Sequence, residues 1–172
     1  ELGTTLSTGH EGEIQVQGPN LMKGYFKNEA ATQESFTSDN WYRTGDLGWM
    51  NEDGYFFVTG RRKELIIKGG ENISPREIDD VLYSHPAVLE AAAVAVPDSH
   101  YGQEIAACVV TKPGESVTVD ELHAFCVARL GDYKSPEKIQ LLEELPKGPS
   151  GKIQRLQLVQ HFAPIDSKSM SS

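Results

Sequence analysis

The sequence predicts an α+β fold in two parts: a strand-rich segment over residues 1–60 and an α+β domain over residues 64–163, joined at residues 61–63. Residues 1–59 hold short alternating apolar runs separated by turns, with little helical periodicity. From residue 63 onward, strand and helix patterns alternate, and two helices have complete start signals. The second part is about 100 residues long, a common size for a domain.

The first part is predicted to contain three local structures. Glu13–Gln17 alternates polar and apolar residues, which is typical of a half-buried strand. Glu29–Phe36 is predicted to be a short helix with Asn28 as its N-cap. Asn51–Gly54 separates two aromatic runs and indicates a hairpin.

The second part is predicted to alternate strands with helices. Ser74–Glu77 and Thr118–Glu121 each have a hydroxyl residue three positions before Glu, the pattern of a capping box at a helix start. Gln154–Phe162 is predicted to be a short helix, and the polar tail at 164–172 to be disordered. The predicted strands are Glu64–Lys68, Val88–Val96, Ile105–Thr111 and Lys138–Leu142.

The charge distribution favours a small anionic ligand. The net charge is −9, which argues against binding to nucleic acid or to an anionic membrane surface. Two stretches, Gly60–Lys68 and Lys147–Arg155, are nevertheless locally basic. No apolar run approaches the ~18 residues that a membrane span needs.

The cysteines and histidines indicate neither a disulfide framework nor a metal site. Cys108 and Cys126 each lie in an apolar periodic run and are expected to be buried in a reducing compartment, which we take as cytoplasmic. The five histidines lack metal-ligand spacing. The chain opens without Met and without a signal-peptide pattern, so we expect it to be a piece of a larger protein.

Three motifs are candidates for chemistry, and each is first interpreted as ordinary structure. Thr44-Gly45-Asp46 is a common turn, and Gly69-Gly70 is favoured as a tight turn before any role in admitting a ligand. Gly148–Lys152 is not a Walker loop, because Pro146 stands where that loop needs Gly and Ile153 where it needs Ser or Thr. Its lysine is as readily a solvated surface residue as a phosphate contact.

Taken in order, five stretches resemble the C-terminal third of an AMP-forming acyl-CoA synthetase. This superfamily also includes the adenylation domains of peptide synthetases and the beetle luciferases. The individual motifs are weak, but their order is specific. The stretches are Gly12–Thr32, Trp41–Leu82 (with WYRTGDLG and GRRKELIIKGGENISP), His85–Val110, Tyr133–Ile139 (YKSPEKI) and Leu145–Arg155 (LPKGPSGKIQR).

The resemblance implies a small mobile domain, with a central antiparallel sheet and flanking helices, preceded by the end of a large N-terminal domain. It implies a two-step reaction, in which a carboxylic acid and ATP give an acyl-adenylate and pyrophosphate, and CoA then displaces AMP. The implied roles are ribose binding for Asp46 and Arg61, the hinge for Lys63, a pantetheine channel at Gly69 and Gly70, and catalysis of adenylation by Lys152.

The resemblance also implies limits. The family's phosphate loop, acid pocket and Mg²⁺ ligands lie upstream, so these residues alone are expected to be inactive and the acid is not indicated, although fatty acid metabolism is one setting for such enzymes. Lys152 lies in a pattern that is acetylated in bacterial relatives, which implies a protein lysine acetyltransferase as a partner. Two alternatives stay open: a carrier-protein-dependent adenylating enzyme, and a non-catalytic binding or regulatory module.

Overall fold

The computed structural model describes residues 4–162 and shows two compact units, which meet between Lys63 and Glu64. Each unit has its own β-sheet. Among the described residues, no helix is long and apolar enough to cross a membrane.

The first unit is built on a three-stranded antiparallel sheet in the order β1-β2-β3. The predicted helix is confirmed, and the side chain of Asn28 accepts a hydrogen bond of 3.0 Å from the Ala31 amide at its start. The predicted hairpin is also present, closed by Gly54 N donating to Asn51 O at 3.1 Å. The elements are β1 (Gly12–Val16), α1 (Glu29–Ser35), β2 (Tyr42–Met50) and β3 (Phe56–Arg61).

The first unit buries little of its apolar surface. Among residues 4–63, only Gly48 is buried. Phe56 is 62% exposed, and its neighbours Phe57 and Val58 are also exposed. Side chains alternate along a strand, so Phe56 and Val58 lie on one face of β3 and Phe57 lies on the other. An antiparallel sheet normally packs one face against a core, whereas apolar side chains of β3 are exposed on both faces within the described part of this unit.

The second unit has a mixed five-stranded sheet flanked by helices, which confirms the α+β prediction. The strand order is β5-β4-β7-β6, all antiparallel, and β8 pairs with β7 in parallel. A short 3₁₀ turn, Arg62–Glu64, precedes β4, so Glu64 is not part of the strand as predicted. The elements are β4 (Ile66–Lys68), β5 (Glu71–Ile73), α2 (Pro75–Tyr83), β6 (Val88–Asp98), β7 (Gly102–Thr111), α3 (Val119–Leu130), β8 (Lys138–Leu141) and α4 (Arg155–Leu158), followed by a 3₁₀ turn over Val159–Phe162.

Both faces of this sheet are covered. Side chains alternate along a strand, so Ala91 and Ala93 of β6 join the core that includes α2 and α3, whereas Ala92 and Val94 join the core that includes Leu158 of α4. The continuous apolar run of β6 in the sequence is therefore explained by burial on both sides.

The two predicted helix starts behave differently. At α3 the capping box is complete, because Thr118 Oγ1 accepts from Glu121 N and Glu121 accepts from Thr118 N at 2.8 Å. At α2 the prediction of a capping box is wrong, since Ser74 makes no side-chain cap bond. The exposed carboxylate of Glu77 instead accepts a hydrogen bond of 3.0 Å from the ammonium of Lys134, which lies within reach.

The C-terminal helix predicted over Gln154–Phe162 is split into α4 and the 3₁₀ turn. The tail that was predicted to be disordered lies outside the described residues.

Candidate functional site

Asp46 and Arg61 lie together in the first unit. They are directly opposed in the β2–β3 ladder, and Arg61 Nε lies 2.9 Å from Asp46 Oδ1. The Asp46 side chain is 29% exposed, so it combines a fixed position with access to solvent. A carboxylate that is oriented by a cation and remains accessible is suited to accept hydroxyl donors.

The orientation of Asp46 comes from irregular pairing within β2. Thr44-Gly45-Asp46 was predicted to be a turn, but it lies inside the continuous strand β2, where the pairing with β1 shifts between Glu13 and Gln15. Thr44 Oγ1 accepts from Asp46 N at 3.0 Å and donates to Ile14 O at 2.7 Å. Gly45 has a φ of 72°, which favours glycine. Bulges of this kind redirect a side chain out of the regular ladder.

Gly69 and Gly70 form the two-residue turn of the β4–β5 hairpin. Lys68 pairs with Glu71 on either side of them. Both glycines have positive φ, 54° and 90°, as a type I′ turn requires. The turn that the composition favoured is therefore present, and any role in admitting a ligand is additional to it.

The two glycines differ in the space around them. A Cβ at Gly69 would lie 2.8 Å from the Tyr133 hydroxyl, whereas a Cβ at Gly70 would meet no atom within 4 Å. Gly69 is thus packed against the domain, and Gly70 faces open space. Because of this difference, substitution of Gly69 tests whether the fold needs a glycine, whereas substitution of Gly70 tests whether a ligand needs the space.

Lys152 lies on an exposed but well-defined loop of the second unit. Gly148 N donates to Lys152 O at 2.8 Å, and Lys147 and Ile153 form an isolated antiparallel bridge. Within residues 4–162, the Lys152 ammonium has no hydrogen bond or ion pair. In the part of the chain that the structure describes, it is therefore a cation without a counter-charge on a closed loop.

Arg155, three residues after Lys152, attaches this loop to the sheet. Its guanidinium pairs with Asp79 of α2 at 2.5 Å and donates to Ala93 O of β6 at 2.9 Å. Asp79 also accepts from Ala93 N at 2.7 Å. Burial raises the pKa of Asp79 above its usual value, and the hydrogen bond and charge of Arg155 oppose that increase.

The same guanidinium contacts the start of the second unit. Arg155 Nε lies 3.2 Å from Glu64 Oε2, and Glu64 directly follows Lys63. The residue next to the predicted hinge is therefore linked to the stem of the Lys152 loop. Lys63 itself is exposed and lies in the 3₁₀ turn Arg62–Glu64.

Sequence reasoning missed Arg155, Asp79 and a buried Lys68. The first two are 76 residues apart in the chain, and no local pattern pairs them. Lys68 carried a usable signal, because it lies two residues after Ile66 and therefore on the same face of β4 as a core residue. A lysine on a buried face requires a partner.

No group of three or more His, Cys, Asp or Glu in residues 4–162 is arranged to hold a metal ion.

Comparison with known proteins relates the chain to the AMP-binding enzymes. Residues 77–152 match the family model of the AMP-binding enzyme C-terminal domain. A sulfoacetate–CoA ligase from Cupriavidus necator is 55% identical over 159 residues, which cover 92% of this chain and 31% of that protein.

Two solved structures have the same fold. ATP-bound MatB from Rhodopseudomonas palustris superposes with a TM-score of 0.89 at 34% identity, over 94% of this chain and 32% of that one. The o-succinylbenzoate CoA synthetase MenE from Bacillus subtilis, in complex with its acyl-adenylate intermediate, superposes with a TM-score of 0.84 at 42% identity. The match covers 92% of this chain and 32% of that one.

The chain thus spans about a third of the length of the relatives that it matches. Its matched residues correspond to the C-terminal part of those proteins. Residues 77–152 thus match the C-terminal domain of the AMP-binding enzymes, and the chain as a whole is similar to the C-terminal part of adenylate-forming CoA ligases.

Proposed function

We propose that this chain supplies the C-terminal domain and an adjoining β-sheet of an AMP-forming acid–CoA ligase. The observation that carries the proposal is the Lys152 loop, which holds an ammonium that has no partner among residues 4–162 on a stem fixed by Arg155. A positioned cation of this kind is suited to stabilise charge that develops on a phosphate. The relatives support the assignment, since those compared above include a sulfoacetate–CoA ligase and an o-succinylbenzoate CoA synthetase.

In the first half-reaction, a carboxylate oxygen of the acid attacks the α-phosphorus of ATP. The bond between that phosphorus and the bridging oxygen breaks, and pyrophosphate leaves. Lys152 stabilises the added negative charge on the phosphate and carboxylate oxygens. Asp46 accepts the ribose hydroxyls, and Arg61 holds Asp46 in place and contributes to the nucleotide site.

In the second half-reaction, the sulfur of CoA attacks the acyl carbonyl, and AMP leaves with the electrons of the carbon–oxygen bond. The Gly69–Gly70 turn borders the path of the pantetheine, where the absence of side chains leaves room for a narrow chain. The Mg²⁺ that accompanies ATP is held by residues outside the described part of this chain.

We propose that the two half-reactions use different orientations of the second unit, with the pivot at Lys63. The boundary between the compact units follows this residue. Lys63 is exposed and lies in a single 3₁₀ turn, so a change of its φ and ψ disturbs little packing.

The preceding part of the longer protein is proposed to cover the exposed apolar side chains of β3 in the first unit. Phe56, Phe57 and Val58 are exposed there, and the relatives are about three times as long as this chain. Because the phosphate loop and acid pocket belong to that part, residues 1–172 alone are expected to show no ATP–pyrophosphate exchange.

Lys152 is also proposed as a site of reversible acetylation by a protein lysine acetyltransferase. The ammonium is exposed and unpaired among the described residues, and acetylation would remove the charge used in the first half-reaction. Mass spectrometry after incubation with an acetyltransferase and acetyl-CoA tests this. Modification of other lysines with Lys152 left unmodified would contradict it.

The function is tested on the full-length protein with ATP–pyrophosphate exchange and a panel of acids: acetate, oxalate, sulfoacetate, o-succinylbenzoate and a medium-chain fatty acid. Exchange with at least one acid, followed by CoA thioester formation, supports the proposal. A pantetheinylated carrier protein offered in place of CoA tests the carrier-dependent alternative. Exchange with none of the acids would favour a binding or regulatory module.

A further inference from the structure

Lys68 is the most deeply enclosed lysine that the structure describes. It is 5% exposed, although it lies next to the Gly69–Gly70 turn. Its ammonium lies 2.6 Å from Glu104 Oε1 and donates to Tyr133 O at 2.9 Å. The rings of Tyr101 and Tyr133 enclose it further, with centroids 5.2 and 4.9 Å from Nζ.

This enclosure satisfies both members of the ion pair. Glu104 is 7% exposed, and its Oε1 also accepts from Ile105 N at 2.7 Å. A buried ion pair usually contributes little net stability, because both charges lose their hydration. Burial of Lys68 therefore calls for an explanation other than stability, and the best-attested use of such pairs is to specify one arrangement.

The arrangement specified here is that of the glycine turn. The Tyr133 hydroxyl donates to Lys68 O at 2.6 Å, and Gly69 N donates to Tyr101 O at 3.0 Å. The two tyrosines that enclose the Lys68 ammonium thus also hold the backbone on either side of the Lys68–Gly69 peptide bond. The same two tyrosines therefore contact both the side chain of Lys68 and the backbone of the turn.

The hairpin has few ladder hydrogen bonds to the rest of the sheet. β4 is paired with β7 only at Lys68 and Gly102. The amide of the preceding residue, Ile67, donates at 2.6 Å to the side chain of Gln103 and not to a backbone carbonyl. Side chains, more than ladder hydrogen bonds, therefore determine where the turn lies.

We propose that Lys68, together with Glu104, Tyr101 and Tyr133, is a positioning residue for the Gly69–Gly70 turn and thereby for delivery of the CoA thiol. The inference rests on the proposed function of the turn. Lys68 acts through the backbone of the turn and does not touch the substrate. It is therefore expected to affect the second half-reaction and not the first.

The test uses the full-length protein with Lys68→Met and with the double variant Lys68→Met/Glu104→Gln. The double variant removes both buried charges, so it is expected to recover stability that the single variant loses, without recovering the contacts of the Lys68 ammonium with Tyr101 and Tyr133. In the double variant we expect hydrogen exchange over residues 66–73 to be about tenfold faster, and KM for CoA to rise by about tenfold. Pyrophosphate exchange is expected to stay within about twofold of wild type.

The matched control is Lys134→Met/Glu77→Gln, which removes an exposed ion pair of the same unit at 3.0 Å. It is expected to change neither hydrogen exchange at the turn nor KM for CoA. Unchanged hydrogen exchange over residues 66–73 in the double variant would overturn the positioning role. Faster hydrogen exchange over residues 66–73 with an unchanged KM for CoA would overturn the proposed role of Lys68 in delivery of the CoA thiol. If the wild type activates none of the acids, the proposed function fails, and hydrogen exchange alone decides whether Lys68 positions the turn.

Discussion

Arg155 and Asp79 form a two-point ion pair, with Nη2–Oδ2 at 2.5 Å and Nη1–Oδ1 at 3.4 Å. Between them they also bind both backbone groups of Ala93, on the strand β6 at the edge of the sheet. The pair therefore replaces the hydrogen bonds that a further strand would supply, and it ties the stem of the Lys152 loop to the domain.

Replacing Arg155 by Met is expected to destabilise the protein by about 3 kcal/mol, because it leaves the carboxylate of Asp79 buried without its partner. Urea unfolding measures this. The double variant Arg155→Met/Asp79→Asn is expected to recover much of the loss, since Asn still accepts from Ala93 N. An equal loss in both variants would show that the cost comes from packing and not from the unpaired charge.

Lys152→Ala is expected to reduce ATP–pyrophosphate exchange by about 10²- to 10³-fold, because the charge that stabilises the phosphate is lost. Thioester formation from supplied acyl-adenylate and CoA is expected to persist. Lys147→Ala is the control, since Lys147 lies in the same loop but is already paired with Glu90 at 2.5 Å. A similar loss from both substitutions would mean that only the total charge of the loop matters.

The two glycines of the turn are expected to respond differently to substitution. Gly69→Ala forces a contact with Tyr133 and is expected to lower the midpoint of urea unfolding. In Gly70→Asn the new Cβ meets no atom within 4 Å, and Asn tolerates positive φ better than other side chains, so the loss of stability is expected to be smaller. It is nevertheless expected to slow thioester formation and to leave adenylation unchanged. Normal thioester formation with Gly70→Asn would place the pantetheine elsewhere.

Asp46→Ala is expected to raise KM for ATP by about tenfold or more, because a hydrogen bond to a charged group contributes about 1.5–3 kcal/mol. The change in stability is expected to stay below about 1 kcal/mol, since the pair with Arg61 is partly exposed. Glu52→Ala, in the neighbouring hairpin, serves as a control and is expected to leave KM for ATP unchanged. An ATP dependence unchanged by Asp46→Ala would remove this residue from the nucleotide site.

Alkaline pH is expected to destabilise the protein through its two buried thiols. Burial raises the pKa of Cys108 and of Cys126 to about 11. In the unfolded chain a thiol ionises near about 8.5. Between these values the unfolded state releases its protons first, so the free energy of unfolding falls as pH rises, by about 1 kcal/mol per thiol near pH ~9.5.

The measurement is urea unfolding of the wild type and of Cys108→Ala/Cys126→Ala at neutral and at alkaline pH. The alanine variant starts less stable, because it loses buried sulfur. The difference in the free energy of unfolding between wild type and variant is expected to narrow as pH rises, since only the wild type has thiols that ionise in the unfolded state. A constant difference would assign the alkaline loss to other groups.

The sequence predicted the parts of the fold that depend on local patterns. The Thr118 capping box formed because both of its partners lie within one helical turn. At Ser74 the same pattern failed, because Lys134, far along the chain, engages Glu77. Likewise the strand over Val88–Val96 is predicted from local residue composition, but the parallel pairing of β8 with β7 has no local signature.

The site was predicted less completely, for the same reason. Asp46 and Lys152 were named through resemblance to a family, whereas spacing alone favoured a turn and a surface lysine. The residues that hold the site in place, Arg155 with Asp79 and Lys68 with Glu104, meet only after folding. The sequence shows that these residues are charged, but it does not show which of them form ion pairs with one another.

The long pairing of β6 with β7 has a consequence for how the second unit folds. The two strands are adjacent in the chain, and their register runs without other elements between them from Val88–Thr111 to Asp98–Gly102. Closing this hairpin costs little chain entropy, whereas β4 and β8 must find β7 across longer loops. We expect the hairpin to be largely formed in the folding transition state, with φ-values near one, and the Gly69–Gly70 turn to be placed last. The turn that is proposed to admit the thiol is then also expected to open more readily in the native state than the β6–β7 hairpin.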